Sequence, residues 1–205
     1  MRTVIYTQRV EIIESYHERR DCADQRIAEF IHTCGFLPVP VPNKAELAES
    51  LIQNLRPNGI VLTGGNSMVE YGGNAPERDA MDSELIRLAM QYKVPLYGFC
   101  RGMQSILCYF GNELVNVEGH TAVRHVVREG NENYEVNSYH NQACRELKAD
   151  CGLKAAAQSA DGIIEAVCHE KLPIYGTMWH PEREGNFAKK DIDRVKEMFN
   201  CHGEM

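Results

Sequence analysis

Cys100 stands between two glycines in the run Gly98-Phe99-Cys100-Arg101-Gly102, where an apolar stretch gives way to a helical pattern. A strand that turns this sharply into a helix holds its central side chain out at the strand's C-terminal end, in strained backbone angles. Gly98 and Gly102 lack Cβ atoms and let neighbouring backbone approach the turn. The thiol then lies over a helix N-terminus, whose partial positive charge favours the thiolate. The chemistry on offer is nucleophilic attack on an acyl carbon. A glycine-flanked core cysteine would show the same five residues, so the motif needs partners.

A nucleophile of this kind needs a base, and the base needs a group to orient it. Trp179-His180-Pro181-Glu182 offers both, again just after an apolar run. His180 is the candidate to take the proton from Cys100 and return it to a leaving group, with Glu182 holding the imidazole tautomer. Gly64-Gly65 follows the run 59–63 and supplies flexible backbone beside the elbow of a parallel sheet. The backbone N–H groups of Gly65 and Arg101 are the candidate donors to a developing oxyanion, a role in which one donor contributes about 3–4 kcal/mol. Taken alone, the glycine pair would read as a simple turn.

The elements that must position these groups alternate in type. Residues 2–7 form a short β-branched run, and 22–34 carries Ile27, Phe30 and Ile31 at near-helical spacing before Gly35. Residues 36–41 are extended but punctuated by Pro38 and Pro40, with Pro42 just beyond, which suits only a sheet edge. Helical patterns follow at 45–55 and at 77–92, the second with Ala80, Met81, Leu85, Leu88 and Ala89 on one face. Between them lies strand 59–63, and the apolar strand 94–99 leads into helix 101–110. Wholly apolar strands alternating with helices predict a parallel sheet covered on both faces. The second half predicts antiparallel pairing, 122–127 with 134–138 around Gly130-Asn131 and 162–169 with 173–178, before an amphipathic helix over 189–201. No repeat or linker interrupts the chain, so a single α/β domain over 1–205 is expected.

A chain of 205 residues buries roughly 70% of its unfolded surface and needs no covalent staples. Its formal net charge of −7 argues against a nucleic-acid partner held through phosphates. No apolar run approaches the roughly 18 residues of a membrane span. The opening MRTVIYTQRV lacks the layout of a signal peptide. No membrane partner and a cytoplasmic location are therefore expected. The eight cysteines include no C-x-x-C pair, so neither a structural metal nor a disulfide framework is expected, and seven of them read as buried or idle thiols.

Taken together, L-T-G-G-N (62–66), R-D-x-x-D-x-E-L (78–85), G-F-C-R-G-M-Q (98–104), V-N-S-Y-H-N-Q (136–142) and W-H-P-E (179–182) resemble the class I glutamine amidotransferases. The resemblance is to their γ-glutamyl hydrolase branch, which includes γ-glutamyl-γ-aminobutyrate hydrolase. It implies a flavodoxin-like α/β fold, with a mainly parallel central sheet, helices on both faces and a small antiparallel sheet in the second half. It implies a Cys-His-Glu triad of Cys100, His180 and Glu182 that cleaves a γ-glutamyl amide through a thioester and releases glutamate, with no cofactor and no metal. A glutamyl pocket is implied as well. Gln104 would contact the amino-acid end, and Asn137, Ser138, Tyr139 and His140 belong to the segment that would hold the α-carboxylate, although a polar turn would also explain that segment. C-R-G rather than C-L-G fits the hydrolases better than synthase-linked glutaminase subunits, while Asn141 stands where the family has a second histidine.

The stretches T-Q-R-V (7–10) and Y-H-E-R-R-D (16–21) resemble a subgroup tied to surface-polysaccharide pathways. Its best-defined member hydrolyses γ-glutamyl-CDP-amidate to glutamate and cytidine diphosphoramidate. Ligands of such sheets sit at the strands' carboxyl ends, so Arg9, Arg19 and Arg20 are candidates to grip a nucleotide-linked leaving group, phosphate being well matched to arginine's fork. The competing expectation leaves Arg19 and Arg20 on a solvated surface. Beside a γ-glutamyl-γ-aminobutyrate-type hydrolase, two other functions remain open: a glutaminase subunit passing ammonia to a synthetase partner, and an inactive binding relative. The presence of Cys100, His180 and Glu182 together speaks against the second.

Overall fold

The computed structural model describes residues 2–200. In chain order its strands are β1 (Thr3–Tyr6), β2 (Arg9–Ile13), β3 (Glu18–Cys22), β4 (Leu37–Pro40), β5 (Gly59–Leu62), β6 (Leu96–Phe99), β7 (Val115–Asn116), β8 (Thr121–Glu129), β9 (Glu132–Tyr139), β10 (Gln142–Ala143), β11 (Leu153–Ser159), β12 (Ile164–His169) and β13 (Ile174–Thr177). The α-helices are α1 (Gln25–Thr33), α2 (Ala48–Leu55), α3 (Pro76–Tyr92), α4 (Arg101–Tyr109) and α5 (Lys189–Asn200). The end expected for α5, Cys201, lies outside the described residues.

Successive side chains of a strand point to opposite faces of its sheet. Ile5, Ile60, Leu62 and Leu96 pack on one side with Ile52, Met81, Leu85 and Ile106, from α2, α3 and α4. Val4, Tyr6, Val61, Tyr97 and Phe99 pack on the other with Ile27, Phe30, Val195 and Phe199, from α1 and α5. Both faces of β5 and β6 are covered, which is why these strands read as unbroken apolar runs.

Strands β4, β1, β5, β6 and β13 lie parallel in that order, and β12, β11, β8 and β9 continue the same nine-stranded sheet in antiparallel fashion. Counted along the chain, the parallel strands follow the flavodoxin-like order 2-1-3-4-5, in which ligands bind beyond the carboxyl ends where the order reverses. Here that point lies between β1 and β5. β4 takes the edge that its prolines require. Leu37 and Val41 donate inward to the carbonyls of Arg2 and Tyr6, at 2.8 and 3.0 Å, while Pro38 and Pro40 have no N–H to offer.

Local chemistry moves some boundaries from those the sequence suggested. The helix expected over 22–34 begins at Gln25, because the Asp24 carboxylate accepts the Arg26 N–H at 2.9 Å and caps it. Cys22 ends β3 instead. β2 and β3 form a separate antiparallel hairpin whose residues are mostly exposed, so no apolar alternation announces it. β11, with the sequence LKAAAQS, carries little strand signal and is held by pairing with β12 and β8. Among the described residues no helix is long and apolar enough to cross a membrane.

Candidate active site

β1, β5, β6 and β13 are neighbours that end at one rim of the sheet. Residues 7–9, Gly64-Gly65, Cys100 and His180 follow them there. Cys100 adopts φ 50° and ψ −109°, backbone angles that cost of order 1–3 kcal/mol in a residue with a side chain. Its N–H donates to Thr177 O at 2.7 Å, and its carbonyl accepts the Gln104 N–H at 3.0 Å. A Cβ on Gly102 would lie 2.0 Å from the Leu62 carbonyl oxygen, so only glycine lets α4 start this close to β5. Arg101 opens α4, and the first N–H groups of a helix have no carbonyl a turn back to receive them. Across the rim Gly65 adopts φ 146°, with the Arg9 side chain against its Cα.

His180 and Glu182 are buried, with Nδ1 and Oε1 2.7 Å apart. Burial alone would lower the imidazole's pKa. The charge of the Cys100 sulfur, a hydrogen bond to it and the Glu182 carboxylate outweigh that and raise it to about 10. Asn137 brackets the His180 main chain, accepting its N–H at 2.9 Å and donating to its carbonyl at 2.8 Å. Arg26 closes the turn from outside through the carbonyls of Glu182 and Glu184, at 2.8 and 2.6 Å. The Tyr139 ring meets His180 edge-on at 5.6 Å, and the Arg183 guanidinium covers Tyr139 at 4.4 Å.

The R-D-x-x-D stretch of α3 holds the glycine loop. Arg78 is fully buried and donates to Thr63 O at 2.7 Å, to the hydroxyls of Thr63 and Thr7 at 3.0 and 3.1 Å, and to Gly64 O at 3.4 Å. The Arg101 side chain pairs with Asp79 and Asp82, one turn apart on α3, and also reaches Asn66 O at 3.1 Å. Burial lowers the pKa of both guanidinium groups to about 9, still far enough above neutral to keep them charged. The two arginines therefore pin the ends of β1 and β5 and the loop carrying Gly65.

A cleft at this rim is lined by Arg9, Gly64, Gly65, Phe99, His180 and Arg183, among others. Of the arginines expected near a leaving group, Arg9 alone reaches it. Arg19 makes a two-pronged pair with Glu77 at 2.6 and 2.8 Å, and Arg20 bonds Glu18 at 2.7 Å. Both sit on the exposed β3 strand, paired with these carboxylates and outside the lining of the cleft. Of the residues expected to contact a glutamyl group, Tyr139 borders His180, Gln104 donates to Gln142 O at 2.8 Å, and Ser138 donates to His120 O at 2.5 Å. His140 is buried beside Glu165. Asn137 serves the His180 backbone. Neither Arg183 nor Arg26 was expected at the site; Arg183 directly follows W-H-P-E, while nothing near Arg26 in sequence signals its contact 156 residues away.

Comparison with known proteins places these features in a family. Residues 18–195 match the family model described as glutamine amidotransferase class-I. The γ-glutamyl-CDP-amidate hydrolase of Campylobacter jejuni is 33% identical over 95% of this chain and 96% of its own length. The γ-glutamyl-γ-aminobutyrate hydrolase of Escherichia coli O157:H7 is 31% identical over 81% of this chain and 80% of its own. A crystal structure from Thermoplasma acidophilum, described as that of a GMP synthase subunit, shares the fold with a TM-score of 0.72 at 21% identity, over 98% of this chain and 94% of that one. The chain belongs to the class I glutamine amidotransferase family, in company with its γ-glutamyl hydrolases.

Proposed function

We propose that this protein hydrolyses a γ-glutamyl amide bond, with Cys100 as nucleophile, His180 as acid and base, and Glu182 as orienting group. The observation that carries the reading is Cys100 at φ 50° on the N-terminus of α4, beside an imidazole whose Nδ1 is 2.7 Å from a buried carboxylate. With the thiol proton on His180, the sulfur attacks the γ-carbonyl carbon. The carbonyl oxygen gains charge between the N–H groups of Gly65 and Arg101. The C–N bond breaks as His180 gives its proton to the leaving nitrogen, which leaves a γ-glutamyl thioester. Water, deprotonated by His180, attacks that thioester, and glutamate departs. Cys100→Ala should lower kcat by about 10⁴-fold or more while substrate still binds. Retained turnover in that variant would end the reading.

The substrate we favour is γ-glutamyl-CDP-amidate, giving cytidine diphosphoramidate for polysaccharide modification. Two things support it: similarity to the Campylobacter jejuni hydrolase along 95% of the chain, and the cationic Arg9 and Arg183 lining the cleft beside His180. A guanidinium pair suits phosphate oxygens on the leaving group. Purified protein should release glutamate from this substrate far faster than from glutamine, with no synthetase present. Equal or faster release from glutamine or γ-glutamyl-γ-aminobutyrate would overturn the substrate and leave the reaction class standing.

A further inference from the structure

A second cluster of titratable groups is drawn from β8, β12 and the residues that flank β8 and β9. His120 precedes β8, His125 lies on it, His140 follows β9 and Glu165 belongs to β12. Glu165 is fully buried, and His120 and His140 are nearly so. A single carboxylate oxygen, Glu165 Oε1, lies 3.2 Å from His120 Nδ1, 3.4 Å from His140 Nε2 and 3.5 Å from His125 Nε2. None of these contacts has hydrogen-bond geometry. His120 Nδ1, His125 Nε2, both ring nitrogens of His140 and both oxygens of Glu165 are buried without a partner among the described residues. An unpaired buried polar group costs about 1–3 kcal/mol, so the cluster calls for something that satisfies several of them at once.

The tautomer of His120 narrows what that is. Its Nε2 lies 3.1 Å from Asp161 Oδ2. An ionised carboxylate only accepts, so Nε2 carries a proton and the neutral ring turns the lone pair of Nδ1 toward Glu165. A lone pair and a carboxylate at 3.2 Å repel unless a cation joins them, either a second proton on the ring or a metal ion. A carboxylate behind the far nitrogen is the usual outer partner of a metal-bound histidine. The ligand atoms of His120, His140 and Glu165 all lie within 4.8 Å of one another. A tetrahedral zinc site with bonds of about 2.0–2.1 Å has edges of roughly 3.4 Å, so small side-chain rotations would close the group around an ion.

We propose that His120 Nδ1, His140 Nε2 and Glu165 Oε1 bind a divalent transition-metal ion, zinc by the character of its donors, with His125 Nε2 within reach as a fourth ligand. Imidazole and carboxylate together suit zinc. The lack of cysteine pairs does not bear on these ligands, which come from four separated positions. The site lies behind the catalytic residues. Ser138 and the His140 N–H both donate to His120 O, at 2.5 and 3.2 Å, and the Met178 N–H donates to Glu165 O at 2.7 Å, two residues before His180. A bound ion therefore ties the segment that ends β9 to the strand end that carries His180. With His125 turned in as the fourth ligand the ion would have no open position, as in a structural rather than a catalytic site.

The test uses the full-length protein carrying Cys100→Ala, so that the nucleophile cannot take up metal. After chelator treatment and dialysis against zinc chloride, elemental analysis should find one zinc per chain. Cobalt(II) in its place should show the visible bands of a four-coordinate nitrogen–oxygen site. Glu165→Gln should bind at least 10-fold more weakly, and Asp161→Ala about 10–100-fold more weakly. Surface histidines such as His17 and His32 are adventitious sites. Zinc held equally well by Glu165→Gln would place the ion on such residues and overturn the proposal. Protein that retains no stoichiometric zinc would overturn it too and leave a protonated histidine as the cation. If Glu165→Gln does not fold, the half-exposed Asp161→Ala and the cobalt spectrum decide in its place.

Discussion

Two buried clusters of ionisable side chains make opposite use of the same kinds of atoms. Arg78, Asp79, Asp82 and Arg101 are almost fully paired, and the two atoms left over, Arg78 Nε and Asp82 Oδ1, face each other at 3.5 Å. His120, His125, His140 and Glu165 stand as close together, yet six of their nitrogen and oxygen atoms have no partner among the described residues. The first cluster is mutually satisfying, because arginine donates in several directions and carboxylates and carbonyls accept. The second is rich in acceptors once Asp161 sets the tautomer of His120. What separates them is complementarity. One cluster holds a loop with protein atoms alone, and the other needs a cation to become equally tight.

The comparison is broken most directly by removing one partner from the paired cluster. Asp82→Ala takes from Arg101 and Arg78 the buried carboxylate they share and should cost about 3–5 kcal/mol, read from denaturant unfolding. A loss below about 1 kcal/mol would mean that the pairing is not what holds the loop. The second cluster should respond to metal instead. Zinc at 100 times its Kd should stabilise the protein by about 2.7 kcal/mol, and by the same amount in Asp82→Ala if the clusters are independent.

Asp191 is the intermediate case, a buried carboxylate with one good donor, Trp179 Nε1 at 3.2 Å, and with Arg194 4.0 Å away. Burial raises its pKa from 3.8 to about 6. An acid whose pKa rises on folding is favoured in its neutral form, so its contribution is complete below pH 3.8 and is lost as pH climbs through about 6. Asp191→Asn should therefore be more stable than the parent by about 1–3 kcal/mol at pH 8 and no different near pH 3.5. A thermal-melt series across that range checks it. At the rim, Glu182→Gln removes one of the groups that raise the His180 pKa to about 10. The alkaline limb of kcat/KM should then move toward neutral. An unmoved limb would show that Glu182 does not act on the imidazole.

Patterns that depend on near neighbours were legible from the residues. The Gly98-Phe99-Cys100-Arg101-Gly102 elbow, the apolar strands 59–63 and 94–99 and the edge strand with its prolines all follow from backbone sterics and from burial on two faces, which leave a local signature. Cys100, Gly65 and His180 end up at one rim because each follows the carboxyl end of a strand in the same parallel stack. The exposed β2–β3 hairpin has no such signature, since solvated strands need no apolar alternation. Without it, whether Arg19 and Arg20 joined Arg9 at the cleft or lay on a solvated surface stayed open.

The sequence by itself determined the alternation that makes a two-faced α/β sheet and the residue types at the strand-to-helix elbow. The pairing of His180 with Glu182, two residues apart, was also legible, whereas the tertiary structure alone decided the polar partners that lie far apart in the chain. Glu77 takes Arg19 away from the cleft, Asn137 holds the His180 backbone rather than lying open to a ligand, and Glu165 gathers histidines from positions 120, 125 and 140. The reason is physical. Backbone preference and burial act over a few residues and repeat with a period, whereas a hydrogen bond or a metal ligand is chosen by distance in space. That choice exists only once strands far apart in the chain have been set in register.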